Sequence, residues 1–370
     1  MATPAGAATL SLRSEVGSEY DSNANRAETL PNGASAQSAS PAPSAGGRVL
    51  IGLEGAGRLA SRTLLSVSAK AAGRGYASQG ARPEGVGIVQ GAGSLLHAVG
   101  ASTRFMATST YYEAFQGARP DSRDFRSVSP SVSLVQDVGP GRLVLGGGYR
   151  WFAFKPSPAL DFSGATVAAS YRLDLSPADD ETTAVYGQGD APADWELVAA
   201  VAHERRGFTS VRCFEGEDCP PLTPRGLRED TFTQVGLDVL RTTSHLLGVG
   251  GAWQMNTSNS YGDGLVRGLA HIEATFLLPL SLSLATRAEL NWTRYDQSVS
   301  IRRDPVSGLP IASIEDEGRS TLRVEVVLPL GQRFDLSARW IGYTNEIGGG
   351  PVRYRRQVFL VQLGFLLDLL

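Results

Sequence analysis

The chain has 370 residues, a formal net charge of -3, 42% hydrophobic and 19% charged residues. It has no uninterrupted apolar run of 18, which excludes a helical membrane span but not a barrel, where half of every strand is polar. The near-neutral balance, without a basic run, argues against a nucleic-acid partner.

The opening "MATPAGAATLSLRSE" has no charged region followed by an apolar one. It reads either as the start of a cytosolic protein or as a chain whose secretory signal has been removed. From there, alternating or apolar segments recur at 8–20, 47–60, 63–76, 85–98, 101–115, 127–138, 142–154, 161–175, 194–207, 230–242, 245–256, 265–278, 281–296, 319–329, 332–345 and 353–369, sixteen in all. The clearest is 281–296. Leu280, Leu282, Leu284, Thr286, Ala288, Leu290 and Trp292 fall on one face, and Ser281, Ser283, Ala285, Arg287, Glu289, Asn291 and Thr293 on the other. A period of two is the mark of a β-strand. Soluble sandwich strands usually run about 5 or 6 residues, whereas a membrane-spanning strand needs about 9 to 11.

The connections alternate in length. Tight turns at 60–62, 99–102, 138–142, 242–245, 278–281 and 329–332 are interleaved with longer polar stretches at 21–46, 77–84, 116–126, 155–160, 208–229, 257–264, 297–318 and 346–352. Short turns on one side and long loops on the other are the pattern of outer-membrane barrels. The stretch 176–194 stands where a short turn belongs and reads either as an inserted connection or as a sign that the count differs by a strand or two. Residues 21–46 read as a flexible loop, with "PNGASAQSASPAPSAGG" at its centre.

Aromatic residues gather at strand ends next to the long connections: Tyr20, Tyr76, Tyr111, Tyr112, Phe115, Tyr149, Trp151, Phe152, Phe154, Phe208, Trp253, Trp292, Tyr295, Trp340, Tyr343 and Tyr354. Amphipathic rings favour the membrane interface, so these form an expected girdle, typified by Tyr111, Trp151, Trp253, Trp292 and Trp340. The opposite girdle reads as mainly Leu and Val.

On these grounds the chain resembles the outer-membrane β-barrel proteins of Gram-negative bacteria, the porin-like ones in particular. Its last strand, "RRQVFLVQLGFLLDLL", has apolar residues at Phe359, Val361, Leu363, Phe365, Leu367 and Leu369. That is similar to the C-terminal signal such proteins present to the barrel assembly machinery. The first strand, "RSEVGSEYDSNANR", is similar to the opening barrel strand of proteins that assist surface delivery and export. The resemblance implies one domain over 1–370, an all-β transmembrane antiparallel up-and-down barrel of about 16 strands (14–18). It also implies an outer-membrane location, and contact with outer-membrane lipid and lipopolysaccharide.

The inward positions expected from this register are Glu54, Arg58, Lys70, Arg104, Arg150, Arg287, Glu289, Arg323, Glu325, Asp335 and Arg339. Arg or Lys facing lipid at the midplane costs about 2 to 4 kcal/mol, so these charges point inward. There they either pair across strands and fill the lumen, or line a wet passage and select solutes. Cys213 and Cys219, with five residues between them in "VRCFEGEDCPPLTP", suit a disulfide, with two free thiols or half of a metal site as alternatives. "YDSNANR" (20–26) and "EDEG" (315–318) offer oxygen ligands for calcium or are solvated loop acids.

Enzymatic signatures are missing. His97, His203, His245 and His271 lie on separate segments without HExxH spacing, no GxSxG elbow occurs, and "GAGRLA" (55–60) precedes a turn and not a helix. No cofactor and no metal are expected. The sequence therefore points to a channel or export conduit for small solutes or a polymer such as a polysaccharide, the polymer requiring periplasmic export proteins. The alternative is a plugged barrel that anchors a trans-envelope machine for secretion, adhesion or motility.

Overall fold

A computed structural model describes residues 8–24, 40–81, 84–116, 124–155, 158–175, 195–211, 226–243, 245–260, 264–295, 319–345 and 354–369. Among them sixteen strands occur: β1 (Thr9–Asp21), β2 (Ser44–Ala60), β3 (Thr63–Tyr76), β4 (Val86–Ala98), β5 (Thr103–Phe115), β6 (Phe125–Val138), β7 (Gly141–Phe154), β8 (Phe162–Asp174), β9 (Trp195–Val211), β10 (Leu227–Thr242), β11 (Leu246–Ser258), β12 (Leu265–Leu277), β13 (Ser283–Tyr295), β14 (Ser320–Pro329), β15 (Phe334–Thr344) and β16 (Arg355–Asp368). Each pairs antiparallel with its sequence neighbours, and β16 returns to β1, closing the barrel. Closure leaves no unpaired strand edge, which a lipid environment would not tolerate.

Period-two alternation fixes which face is which. In a wall one strand thick, a buried side chain has cover only on the concave side. Glu19, Asp21, Glu204, Asp230, Arg267, Asn291, Glu325 and Arg356 are all buried, and the strand register places them on one face. That face is the interior. The opposite parity carries Ile51, Val67, Phe105, Val132, Val167, Val235, Ile272, Leu290 and Val361 exposed, an apolar surface that solvates in hydrocarbon.

Six connections are tight, including the two-residue turns at 61–62 and 139–140, and Gly139 takes φ +57 that a side chain would resist. They join strand ends on the same side as the start of β1 and the end of β16, and the β8–β9 junction is on that side too; the remaining junctions are at the opposite end. Several boundaries differ from the sequence reading. Strand β13 starts at Ser283, because Pro279–Ser281 forms a 3-10 turn with Leu280 and Ser281 at positive φ. Proline cannot donate to a ladder and forces the chain out of register there. Leu280 is consequently 89% exposed in a turn and is not the first apolar position of the strand. The loop expected at 21–46 is also shorter, since β1 extends to Asp21 and β2 begins at Ser44.

Candidate functional site

Two unlike walls face each other across the interior. One runs over β12–β16 and β1–β3 and carries ion pairs. Arg287 is held between Glu273 (3.1 Å) and Glu289 (3.5 Å), and Glu325 accepts from Arg323 and from Arg339 at 2.5 Å. Lys70 meets Glu54 at 2.8 Å, while Arg13 meets Glu15 at 2.8 Å and approaches Asp335 at 4.0 Å. On the other wall Arg150 faces Glu204 at 3.5 Å, and Arg104 and Arg142 share Asp137 at 2.9 Å each. By parity, Glu54, Arg58, Lys70, Arg104, Arg150, Arg287, Glu289, Arg323, Glu325, Asp335 and Arg339 all lie on the interior face, with Arg58 exposed beside the irregular end of β2.

Glycines let these side chains lie flat. Asp238 on β10 reaches His271 on β12 at 3.3 Å by crossing Gly250 on the strand between them, where a Cβ would come within 1.9 Å of the Asp238 carboxylate. Asp335 leans over Gly364 in the same way, 2.6 Å from where a Cβ would sit. Polar side chains thus meet across an intervening strand, Asp238 with His271 over β11 and Asp335 with Arg13 over β16.

Between its ion pairs the facing arc has a patch of small, uncharged residues. Ser133, Gly146, Ala168, Ser170, Ala200, Ala202 and Gln234 line a shallow recess on β6–β10. Above it, at the long-loop end, Tyr112, Phe125, Phe152, Phe162 and Phe208 form an inward collar with ring centroids 5.0–5.5 Å apart. Arg206 sits over Phe162 and Phe232, and Arg228 over Phe208 at 4.0 Å.

This collar corrects the sequence reading of the aromatics. Tyr76, Tyr112, Phe152, Phe154, Phe208 and Tyr343 point inward by parity, and Tyr354 is fully buried, so they belong to no lipid-facing girdle. Tyr111, Trp151, Trp253, Trp292 and Trp340 have the outward parity. Trp253 and Trp292 meet 6.0 Å apart above Gly268. The short-turn end has outward aromatics as well, Phe105, Tyr171, Trp195, Phe276, Phe334 and Phe365, where Leu and Val were expected.

Several inward charges escaped the sequence reading, among them Glu15, Asp21, Glu204, Asp230, Asp238, Glu273 and Arg356. Strict counting in twos from any placed neighbour finds each of them. Asp21 and Asn23 of the calcium candidate are buried and engaged by protein: Asp21 binds Arg356 and Tyr76, and Asn23 bonds to Asp21 and to the Arg355 carbonyl. They are neither solvated acids nor a calcium cradle. Residues 315–318, Cys213, Cys219 and the 176–194 connection lie outside the described residues. The four histidines are dispersed: His97 bonds Thr63, His203 bonds Thr233 on the outer face, His245 sits in a turn, and His271 meets Asp238.

No family model and no curated protein matches the sequence. Solved structures do. Salmonella typhi OmpF, in complex with daunomycin, aligns at 10% identity over 96% of this chain and 97% of its own, with a TM-score of 0.50. A BenF-like porin from Pseudomonas fluorescens Pf-5 aligns at 8% identity over 98% and 99%, with a TM-score of 0.48. Acinetobacter baumannii OccAB1 aligns at 10% identity over 98% and 97%, with a TM-score of 0.47. At such identities the likeness is one of fold, and the fold is that of a bacterial outer-membrane β-barrel.

Proposed function

We propose that the chain is a channel in the outer membrane of a Gram-negative bacterium, passing small solutes, or an exported polymer such as a polysaccharide, through a wet lumen. One observation carries this reading. Charged side chains on the interior face remain about half exposed: Glu54 59%, Arg13 54%, Arg287 47%, Lys70 45% and Arg323 45%. Ion pairs that merely filled a core would be desolvated; these stay open to the interior space, while Asp238 and Asp335 lie flat over Gly250 and Gly364. The opposite arc of Gly, Ala and Ser leaves the room that a solute needs. Outer-membrane lipid and lipopolysaccharide would surround the barrel, and polymer export would bring periplasmic proteins to the short-turn side.

A second reading has its own support. Inward side chains at the long-loop end are buried, including Tyr76, Glu204, Phe208, Asp230, Arg267 and Arg356. A mouth packed this tightly suits a plugged barrel that anchors a secretion, adhesion or motility machine. Liposome swelling separates the two. Refolded protein should admit a monosaccharide quickly and a trisaccharide more slowly. A folded protein that admits neither would replace the channel by the anchor.

A further inference from the structure

The seam between β1 and β16 joins residues more than 330 apart in sequence, and it is tied at both ends. Pairing runs from Ser11 opposite Asp368 to Asp21 opposite Val358. At the short-turn end the Leu369 N–H donates to the Leu10 carbonyl at 2.7 Å; at the loop end the Ser22 N–H donates to the Gln357 carbonyl at 2.9 Å. The Asn23 side-chain amide adds a bond to the Arg355 carbonyl at 3.1 Å.

Inside the barrel, at the loop end, a charged cluster sits across this seam. Asp21 is 0% exposed and Arg356 5%. Arg356 Nε donates to both carboxylate oxygens at 3.0 Å, and Nη2 to one of them at 2.5 Å. The Tyr76 hydroxyl, arriving from β3, lies 2.8 Å from Asp21 and 3.1 Å from Glu19. Arg74 approaches Glu19 at 3.5 Å. Tyr76 reaches β1 only because β2 carries Gly46 beneath it, where a Cβ would meet the Tyr76 ring at 3.1 Å and the Gly75 carbonyl at 2.4 Å. Three strands, β16, β1 and β3, therefore share one polar knot, laid across the glycine of β2.

A buried pair of this kind is weak evidence for stability but strong as a register device, because separating the partners strands a desolvated charge. A slip of one residue would turn Asp21 to the lipid side while Arg356 stayed inside.

We infer that the Asp21–Arg356–Tyr76 clasp fixes the β1–β16 junction in one register and keeps it shut, so that the barrel has no lateral exit at its seam and traffic runs along the axis. The shut seam rests on the fold alone; axial traffic rests also on the channel reading.

Hydrogen exchange of the full chain refolded in detergent tests the clasp. In the wild type, amides of 12–21 and 357–366 should exchange as slowly as those of β2 and β15. Asp21→Asn should accelerate them by about tenfold or more while leaving β6–β9 unchanged. Fast seam exchange in the wild type, or no selective change in the variant, overturns the clasp. If Asp21→Asn does not fold, Tyr76→Phe keeps the ion pair and should give a smaller acceleration in the same amides; none would overturn it equally. For axial traffic, Ser18→Cys with Val361→Cys, outward partners across the seam, are oxidised in a Cys213→Ser, Cys219→Ser background. Liposome swelling should be the same before and after reduction, and swelling that appears only after reduction overturns axial passage. A wild type that never admits solute defeats the channel reading and leaves the exchange result standing.

Discussion

Arg287 and Arg323 stand directly opposite one another on β13 and β14, although like charges in that position repel. Each is offset by its own carboxylates, Glu273 and Glu289 for one, Glu325 for the other. The interior charge is therefore two-signed and finely divided, and its balance is set residue by residue. Replacing both arginines by Glu should move the zero-current potential in a KCl gradient toward cation preference; an unmoved potential would place these side chains off the ion path. Gly250→Val should force Asp238 and His271 off the wall, costing about 1–3 kcal/mol in unfolding experiments and lowering conductance in the fraction that folds. Much of this was legible in the sequence, since Arg287 and Glu289 alternate with Ala288 and Leu290. The saddle glycines were not. Their purpose depends on which residues two strands away share their level, and a single strand does not reveal that. Phe152 beside Trp151 shows a different lapse: adjacent residues on a strand must face opposite ways, so one of each such aromatic pair had to point inward.

At the scale of the strand, sequence decides which face meets lipid. Val132, exposed outward in the middle of β6, and Ser133, inward beside it, form a matched pair. Val132→Arg should cost about 2–4 kcal/mol in lipid-reconstituted unfolding, and Ser133→Arg much less, because water solvates the second charge. Equal penalties would mean that the faces are exchanged or that the interior is dry. The number and alternation of strands could be read directly, because each strand is long enough for a period of two to emerge from noise. Their ends were harder. Pro279 diverts the chain through a turn that continues the apolar pattern of Leu278, Leu280 and Leu282, and periodicity alone does not see a missing donor. On β9 and β10 the ladders run on beyond the apolar zone, with Arg205 and Glu229 paired on the outer face, so hydropathy stopped short of the true strand ends.

For the whole molecule, closure turns a sheet with two edges into a wall with none, and the two walls inside it divide the labour. Ion pairs on β12–β3 present a part-exposed, two-signed surface, while small residues on β6–β10 leave space. The barrel itself was legible from the length of the strands and from the alternation of short and long connections. The pairing of Asp21 with Arg356 was not, since it depends on the first and last strands meeting in a particular register. The central claim, a water-filled path through the barrel, is tested most directly by planar-bilayer recording of the refolded protein, with its heat-dependent gel shift as proof of folding. Steady, stepwise conductance that scales with bulk salt is the predicted result. A sample that is fully folded by gel shift and stays silent across the accessible voltage range would contradict it.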